Sequence, residues 1–223
     1  MKEGIIIVNK PKGFTSHQVV ERIRKILGIK RVGHTGTLDP LATGVLLILV
    51  GKTTRFFRRF LSYDKEYIAT ITLGKLTDTG DIWGKILKET EVPSLNKSII
   101  EDVFKEFIGE IEQIPPMFSA LKYKGRRLYQ LARLGIEVPR KIRKVFIKEL
   151  RLLDFKDNQI KFYVRCSTGT YIRKLAIDIA EKLNCVGCIS EITRIGIGPY
   201  RLEEAVDISN IDENCILPFK EFI

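Results

Sequence analysis

The sequence predicts an α+β protein, because strand-like and helix-like segments are mixed without the strict alternation that a doubly wound sheet requires. Three kinds of pattern carry that prediction. Gly4 to Asn9 (GIIIVN) and Val45 to Val50 are apolar runs of strand length, and Tyr67 to Leu73 sets Tyr67, Ala69, Ile71 and Leu73 against Ile68, Thr70 and Thr72. Val19, Val20, Ile23, Ile26 and Leu27 recur at helical spacing instead, as do Ile172, Leu175, Ala176, Ile179 and Leu183. The length of 223 residues, 44% of them hydrophobic, suffices for the core of one large domain or two small ones.

Taken in order, the Gly4–Asn9 strand is stopped by Lys10-Pro11-Lys12-Gly13, and Thr15-Ser16-His17-Gln18 opens a helix that Gly28 ends. A loop rich in Gly, Thr and Pro spans Gly33 to Gly44 before the strand Val45–Val50, and Thr53 to Leu61 reads as a short helix. Ser98-Ile99-Ile100-Glu101 resembles a capping box ahead of an apolar stripe of Ile99, Ile100, Val103, Phe104, Phe107 and Ile108. Pro115-Pro116 and the basic stretch after it break regular structure, with one short helix expected from Arg126 to Leu134 in a protruding insertion. The Asp157-Asn158 turn introduces a strand whose Ile160, Phe162, Val164 and Cys166 alternate with polar neighbours, and the Ile172–Leu183 helix follows.

Charge narrows the function. The chain carries 38 Lys+Arg against 27 Asp+Glu, a formal net of +11. Ten basic residues and one acid lie between Lys122 and Lys148, a local net of +9, so the other 196 residues carry +2. Concentration of charge with Tyr123 and Tyr129 interleaved points to a surface that tracks phosphates, against the alternative of a solvated face. No apolar run approaches the ~18 residues of a membrane helix, and the opening MKEGIIIVNKPKG is too short for a secretory core. A cytoplasmic protein is the expectation. The four cysteines are then reduced thiols, and Cys185-Val186-Gly187-Cys188, a lone CxxC without further ligands, reads as ordinary buried cysteine before it reads as a zinc site.

The chemistry concentrates in Gly33-His34-Thr35-Gly36-Thr37-Leu38-Asp39-Pro40-Leu41-Ala42-Thr43-Gly44. Its glycines allow tight turning, and Asp39 before Pro40 is biased to an extended backbone that projects the carboxylate. Satisfaction of turn amides is the competing reading of Asp39, and a hydrogen-bonded structural role that of His34. The chain has no GxxxxGK[ST] phosphate loop and no G-x-S-x-G elbow, so phosphoryl transfer and serine hydrolysis lose their usual support.

GHTGTLDPLATGVL resembles the signature loop of the TruB family of tRNA pseudouridine synthases, and five further motifs agree in order. They are Lys10-Pro11-Lys12-Gly13-Phe14-Thr15-Ser16, Lys65-Glu66-Tyr67, the T-x-T-x-D-x-x-G of Thr77, Thr79, Asp81 and Gly84, Pro115 to Ala120, and Gly169-Thr170-Tyr171-Ile172-Arg173. The resemblance implies the pseudouridine synthase fold, a mixed, largely antiparallel central sheet with flanking helices. It implies a single catalytic domain over 1–223, with an RNA-gripping insertion at about 115–148 and without the C-terminal PUA domain that family members usually carry.

The implied activity is cofactor-free conversion of uridine to pseudouridine at position 55 in the T-loop of tRNA. Asp39 aligns with the nucleophilic aspartate, and an uncharged isomerisation suits a carboxylate that both attacks and leaves. Arg173 would pair with Asp39 and keep it ionised, where a helix-end salt bridge is the plainer reading. Tyr67 would stack on the target base, His34 would fill the space left by the flipped nucleotide, and Tyr171 and Ile192 would line the pocket. Ile192 stands where the family usually has Leu. Lys122, Lys124, Arg126 and Arg127 would grip the T-arm. The expected partner is tRNA alone, bound by a monomer that needs no membrane, metal or guide RNA. The rivals are a non-catalytic tRNA-binding or folding protein on the same scaffold, and a synthase for another RNA.

Overall fold

The computed structural model describes residues 3–219. Met1, Lys2 and residues 220–223, the ends on which the expectations of no leader and no further domain bear, lie outside the described residues.

Strand β1 (Gly4–Lys10) is buried along nearly its whole length. Helix α1 (Ser16–Leu27) starts on the capping box its sequence predicts: Thr15 Oγ1 accepts from the Gln18 N–H at 3.1 Å, and Gln18 Oε1 takes the Thr15 N–H at 2.8 Å. It ends at Gly28, whose φ of 65° suits glycine. Strand β2 (Val32–His34) then pairs with β3 (Thr43–Val50), Val32 opposite Val50 and His34 opposite Ile48. Three residues, one of them Gly, are too few to show a period, so β2 is not visible in the hydrophobic pattern. The expected helix over 53–61 divides into a 3₁₀ turn at Gly51–Phe56 and α2 (Phe57–Leu61), after which β4 (Lys65–Leu73) keeps its alternate residues buried.

Strands β5 (Lys75–Thr77) and β6 (Ile86–Glu89) form a separate small sheet. Helix α3 (Lys97–Glu106) corrects the expected cap, because Asn96 Oδ1 accepts the Ile99 N–H at 3.0 Å and Ser98 lies inside the first turn. The stripe is also narrower than expected: Ile100, Val103 and Phe104 are buried, and Ile99 stays exposed. After β7 (Gly109–Gln113), the basic segment folds as a hairpin of β8 (Lys122–Tyr123) and β9 (Arg126–Arg127). The turn residues Lys124 and Gly125 both have positive φ, 46° and 84°, as a two-residue hairpin turn demands. Helix α4 is accordingly confined to Leu128–Ala132 and not to 126–134.

Strand β10 (Arg143–Lys156) runs through residues expected to be irregular; Val145, Ile147 and Leu150 are buried while the intervening basic residues point outward. It pairs with β11 (Gln159–Cys166) across the predicted Asp157-Asn158 turn. Helix α5 (Ile172–Lys182) and strands β12 (Gly187–Ile197), β13 (Tyr200–Arg201) and β14 (Val206–Asp207) complete the chain.

Two compact units result, residues 1–67 with 192–223 and residues 68–191. In the first, the strand order is β14-β1-β3-β12, with β2 on β3 and β13 on β12. Ile5, Ile7, Val45, Leu47, Leu49, Phe60 and Ile197 form its core cluster, with the Phe60 and Tyr63 rings edge to face at 5.9 Å. In the second, the order is β12-β4-β11-β10-β7, and Phe104 of α3 meets Phe162 of β11 at 6.1 Å. Pairing is antiparallel at β1–β3, β2–β3, β7–β10, β10–β11 and β12–β13, and parallel at β1–β14 and β3–β12. The α+β class and the mixed, mostly antiparallel sheet are as expected.

Candidate active site

The segment from Thr35 to Ala42 links β2 to β3 and carries Asp39, and its backbone is tied at several points. The Thr35 N–H donates to Leu47 O at 3.0 Å, the Ala42 N–H to Asp39 O at 3.1 Å, and the Gly13 N–H to Pro40 O at 2.8 Å. Ser16, buried at the start of α1, accepts the Leu38 N–H at 2.9 Å and donates to Leu38 O at 3.2 Å, so it holds both backbone groups of the residue before Asp39. Arg194 of β12 is 1% exposed and donates from Nε to Val45 O at 2.7 Å and from Nη2 to Gly36 O at 3.2 Å. Beside it the Thr43 and Thr193 hydroxyls lie 2.9 Å apart. The parallel strands meet so closely that a Cβ on Gly44 would stand 2.2 Å from Arg194 O.

Lys10 completes this cluster. Fully buried, its Nζ donates to Pro11 O at 2.9 Å and Phe14 O at 2.7 Å. Burial pushes its ammonium down to about 8, the Asp39 carboxylate pulls it back up, and the Arg194 guanidinium lowers it further. A carboxylate on a braced loop, within the field of the buried Lys10 ammonium, is placed as a nucleophile for an electrophilic carbon. His34, half-buried, ends β2; Tyr67 at 8% exposure lies on β4 and Ile192 at 7% on β12. These three and Asp39 belong to the first unit.

Arg173 and Tyr171 belong to the second, where three sequence motifs converge on one guanidinium. Arg173, 6% exposed in the first turn of α5, donates to Thr79 O and, at 2.7 Å, to Phe118 O. Thr79 lies in the T-x-T-x-D-x-x-G turn, which is bonded to itself: Thr77 Oγ1 donates to Asp81 O at 2.6 Å, Thr79 Oγ1 to Asp81 Oδ1 at 3.0 Å, and the Trp83 N–H to Asp81 Oδ1 at 3.1 Å. Gly84 is required there, since a Cβ would come within 2.3 Å of Thr79 Oγ1. Phe118 lies in the Pro115–Ala120 turn. Two carbonyls thus orient Arg173. The Tyr171 backbone is clamped by Gln113, which is 1% exposed, accepts the Tyr171 N–H at 2.9 Å and donates to Tyr171 O at 3.3 Å.

Sequence reasoning gave Lys10, Ser16, Gln113 and Arg194 no part in the site. Lys10 and Ser16 sit inside the quoted Lys10–Ser16 motif, but their neighbours Asn9, Pro11, Thr15 and His17 have the composition of an exposed turn, and Arg194 between Thr193 and Ile195 carries no mark of burial in the sequence. Gln113 at the end of a short polar strand offered none.

Lys122, Lys124, Arg126 and Arg127 are exposed on the β8–β9 hairpin. Arg127 donates to Ala120 O at 2.9 Å, and Lys124 and Arg133 stand over the Tyr123 and Tyr129 rings at 5.6 and 5.5 Å. Farther along, Arg140 pairs with Glu137 inside the block and Lys144 with Glu110 of β7 outside it, so part of the block's charge is neutralised. Cys185 and Cys188 are buried, and burial pushes both thiols up, away from the reactive thiolate. No group of three or more His, Cys, Asp or Glu that could hold a metal is assembled among the described residues, and no helix among them is long and apolar enough to cross a membrane.

Comparison with known proteins supplies an independent line. Residues 24–172 match the model of the TruB family pseudouridylate synthase N-terminal domain. A protein of Francisella philomiragia subsp. philomiragia named tRNA pseudouridine synthase B is 46% identical over 211 residues, 94% of this chain and 70% of that one. One of Hydrogenovibrio crunogenus with the same name is 43% identical over 212 residues, again 70% of its length. Among solved structures, a Cbf5-Nop10-Gar1 complex superposes with a TM-score of 0.74 at 31% identity, and an H/ACA RNP bound to a substrate RNA containing 2'-deoxyuridine with 0.70 at 29%. This chain is covered to 94% and 93% by these, but spans only 53% and 51% of the solved chains.

Proposed function

Since the chain belongs to the TruB family of pseudouridylate synthases, we propose that it isomerises uridine to pseudouridine in tRNA, at position 55 of the T-loop, with Asp39 as the nucleophile. The observation that carries the assignment of Asp39 is its bracing: Ser16 and Arg194 fix the backbone on either side, and Lys10 sets a buried cation in its field. Attack by the carboxylate lets the N1 glycosidic bond break, the base turns, and C5 bonds to the sugar as the carboxylate leaves with the electron pair of its own bond. The C5 proton leaves and N1 gains one. Atoms and electrons balance without a cofactor.

Arg173, Tyr67, His34, Tyr171 and Ile192 serve the same reaction in the roles the family resemblance implies, and Lys122, Lys124, Arg126 and Arg127 bind the T-arm. The cytoplasm, where unmodified tRNA is found, is the place of action, and a monomer without guide RNA is the acting form. Incubation of the chain with bare unmodified tRNA transcript, followed by base-resolved mapping of pseudouridine, is the test. Wild type is expected to modify one T-loop uridine. Asp39→Asn is expected to lose at least 10³-fold in turnover while binding tRNA within a few-fold, because the amide keeps the shape and loses the nucleophile. Turnover by the variant within tenfold of wild type would remove Asp39 from that role.

A further inference from the structure

Helix α5 carries Arg173 in its first turn, yet its N-cap residue Tyr171 makes no side-chain capping bond. A side chain from another element does the fixing. Gln113 ends β7, stands opposite Arg143 of β10 in the sheet, and spends both ends of its amide on Tyr171. Its Oε1 accepts the Tyr171 N–H at 2.9 Å and its Nε2 donates to Tyr171 O at 3.3 Å. An amide that meets the N–H and the C=O of one residue imitates a neighbouring strand, so it fixes the Tyr171 backbone on both sides. Gln113 is 1% exposed, and an amide buried so deeply is tolerated because both of its polar atoms are used.

Two routes lead from Gln113 to Arg173. One runs through the side chain to Tyr171, just ahead of Arg173 at the start of α5. The other runs along the main chain through Ile114, Pro115, Pro116 and Met117 to Phe118, whose carbonyl accepts from Arg173 Nη2 at 2.7 Å. That leg is stiff, because each proline holds φ near about −65° and Pro116 keeps Pro115 extended. Pro115 O is itself held by Arg140 Nη1 at 3.2 Å. The end of β7, the proline turn, the guanidinium and the first turn of α5 thus close a ring, and Gln113 is a joint of it. The loop before α5 has further ties: the Ser167 N–H donates to Phe146 O at 2.8 Å, Ser167 Oγ accepts the Phe146 N–H at 2.9 Å, and Thr170 Oγ1 donates to Ser167 O at 2.9 Å. These attach the loop to β10 without Gln113. What the buried amide adds is precision at the end of the loop.

We propose that Gln113 is a positioning residue for the isomerisation: by fixing the Tyr171 backbone it sets the first turn of α5, from which Arg173 acts, and its effect falls on turnover and not on RNA affinity. The inference rests on the reading of the chain as a pseudouridine synthase with Arg173 in the reaction. Burial keeps Gln113 itself away from the uridine, so it works through Tyr171 and Arg173. Precision of this kind is worth much to a catalytic group, since misplacement by about 1 Å costs on the order of 100-fold in rate. Affinity for the RNA is spread over many phosphate contacts and is insensitive to one such shift.

The test measures kcat and KM for pseudouridine formation in tRNA transcript, the Kd for the same RNA, and the urea midpoint of each protein. Gln113→Leu removes both bonds to Tyr171, and Gln113→Glu keeps an acceptor for the Tyr171 N–H while its ionised carboxylate has no donor for Tyr171 O. Asn96→Ala removes the cap of α3 in the same unit and serves as a purely structural loss. Both Gln113 variants are expected to lower kcat about tenfold or more with KM and Kd within about threefold of wild type. Asn96→Ala should lower the urea midpoint and leave kcat within about twofold. Combined with Arg173→Lys, a Gln113 substitution should cost less than about threefold beyond Arg173→Lys alone, because side chains that act as a unit are not additive. Should Gln113→Leu fail to fold, Gln113→Glu, which keeps one of the two bonds, carries every comparison. The proposal is overturned by kcat within about twofold of wild type in a folded Gln113 variant, by a loss confined to KM or Kd, or by effects that multiply with Arg173→Lys. Wild type that forms no pseudouridine refutes the enzyme reading and this proposal together, whereas an active wild type with equally active Gln113 variants refutes this proposal alone.

Discussion

Lys10 shows how one buried charge can be tolerated because of what surrounds it. Its ammonium has lost water but gained two carbonyls and the field of Asp39, and it titrates near 8 and not at 10.5. Between those values the unfolded chain binds more protons than the folded one, so the contribution of Lys10 makes stability rise with pH over that window and leaves it flat below about 8. At about 1.36 kcal/mol per pH unit, wild type should gain ~2 kcal/mol relative to Lys10→Met between pH 8 and 9.5. Urea unfolding of both proteins at pH 7, 8 and 9.5 measures it, and a difference that does not move with pH would show that the amine is solvated. The charge on Lys10 was legible in the sequence and its burial was not, because Lys10-Pro11-Lys12-Gly13 has the composition of an exposed turn.

Among the elements, those with a full period were legible: β1, α1, β4, β11 and α5 stand where alternation or helical spacing placed them. What escaped was fixed by partners distant in sequence. Strand β2 exists because β3 accepts it, β10 because β7 and β11 flank it, and the close approach of β12 to β3 is visible only in Gly44. The site followed the same rule, since Asp39, His34 and Arg173 stood in recognisable motifs while their supports Ser16, Gln113 and Arg194 are defined by tertiary contact. Gly44 makes the constraint measurable. It has φ 95° and would place a Cβ 2.2 Å from Arg194 O, whereas Gly13 has φ 89° and open space around it. Gly13→Ala should therefore cost about 1 kcal/mol, the penalty of the left-handed backbone alone, and Gly44→Ala at least ~2 kcal/mol more, with loss of activity as the Asp39 loop shifts. Equal unfolding free energies for the two variants would mean that the β3–β12 approach relaxes without consequence.

At the scale of the whole molecule, the open matter is whether 223 residues behave as the single domain expected from the family or as two. The boundaries at 67/68 and 191/192 fall within β4 and β12, so each of these strands contributes hydrogen-bonding residues to both compact units. Unfolding one unit alone would require each strand to end abruptly in mid-ladder, leaving backbone donors and acceptors without partners at two places. That cost couples the units through the covalent chain itself. A single cooperative transition is the expected outcome, with the first unit no more labile than the second. Trp83, the one tryptophan of the chain, lies in the second unit and reports its unfolding by fluorescence. Hydrogen exchange of peptides from β1 and β3 reports the first unit and from β10 and β11 the second. Coincident urea midpoints and one shared exchange free energy for the most protected amides of both units would establish one domain. A gap of more than about 2 kcal/mol between the units would establish two, and would place the Asp39 loop in a unit that unfolds separately from the one that holds Arg173.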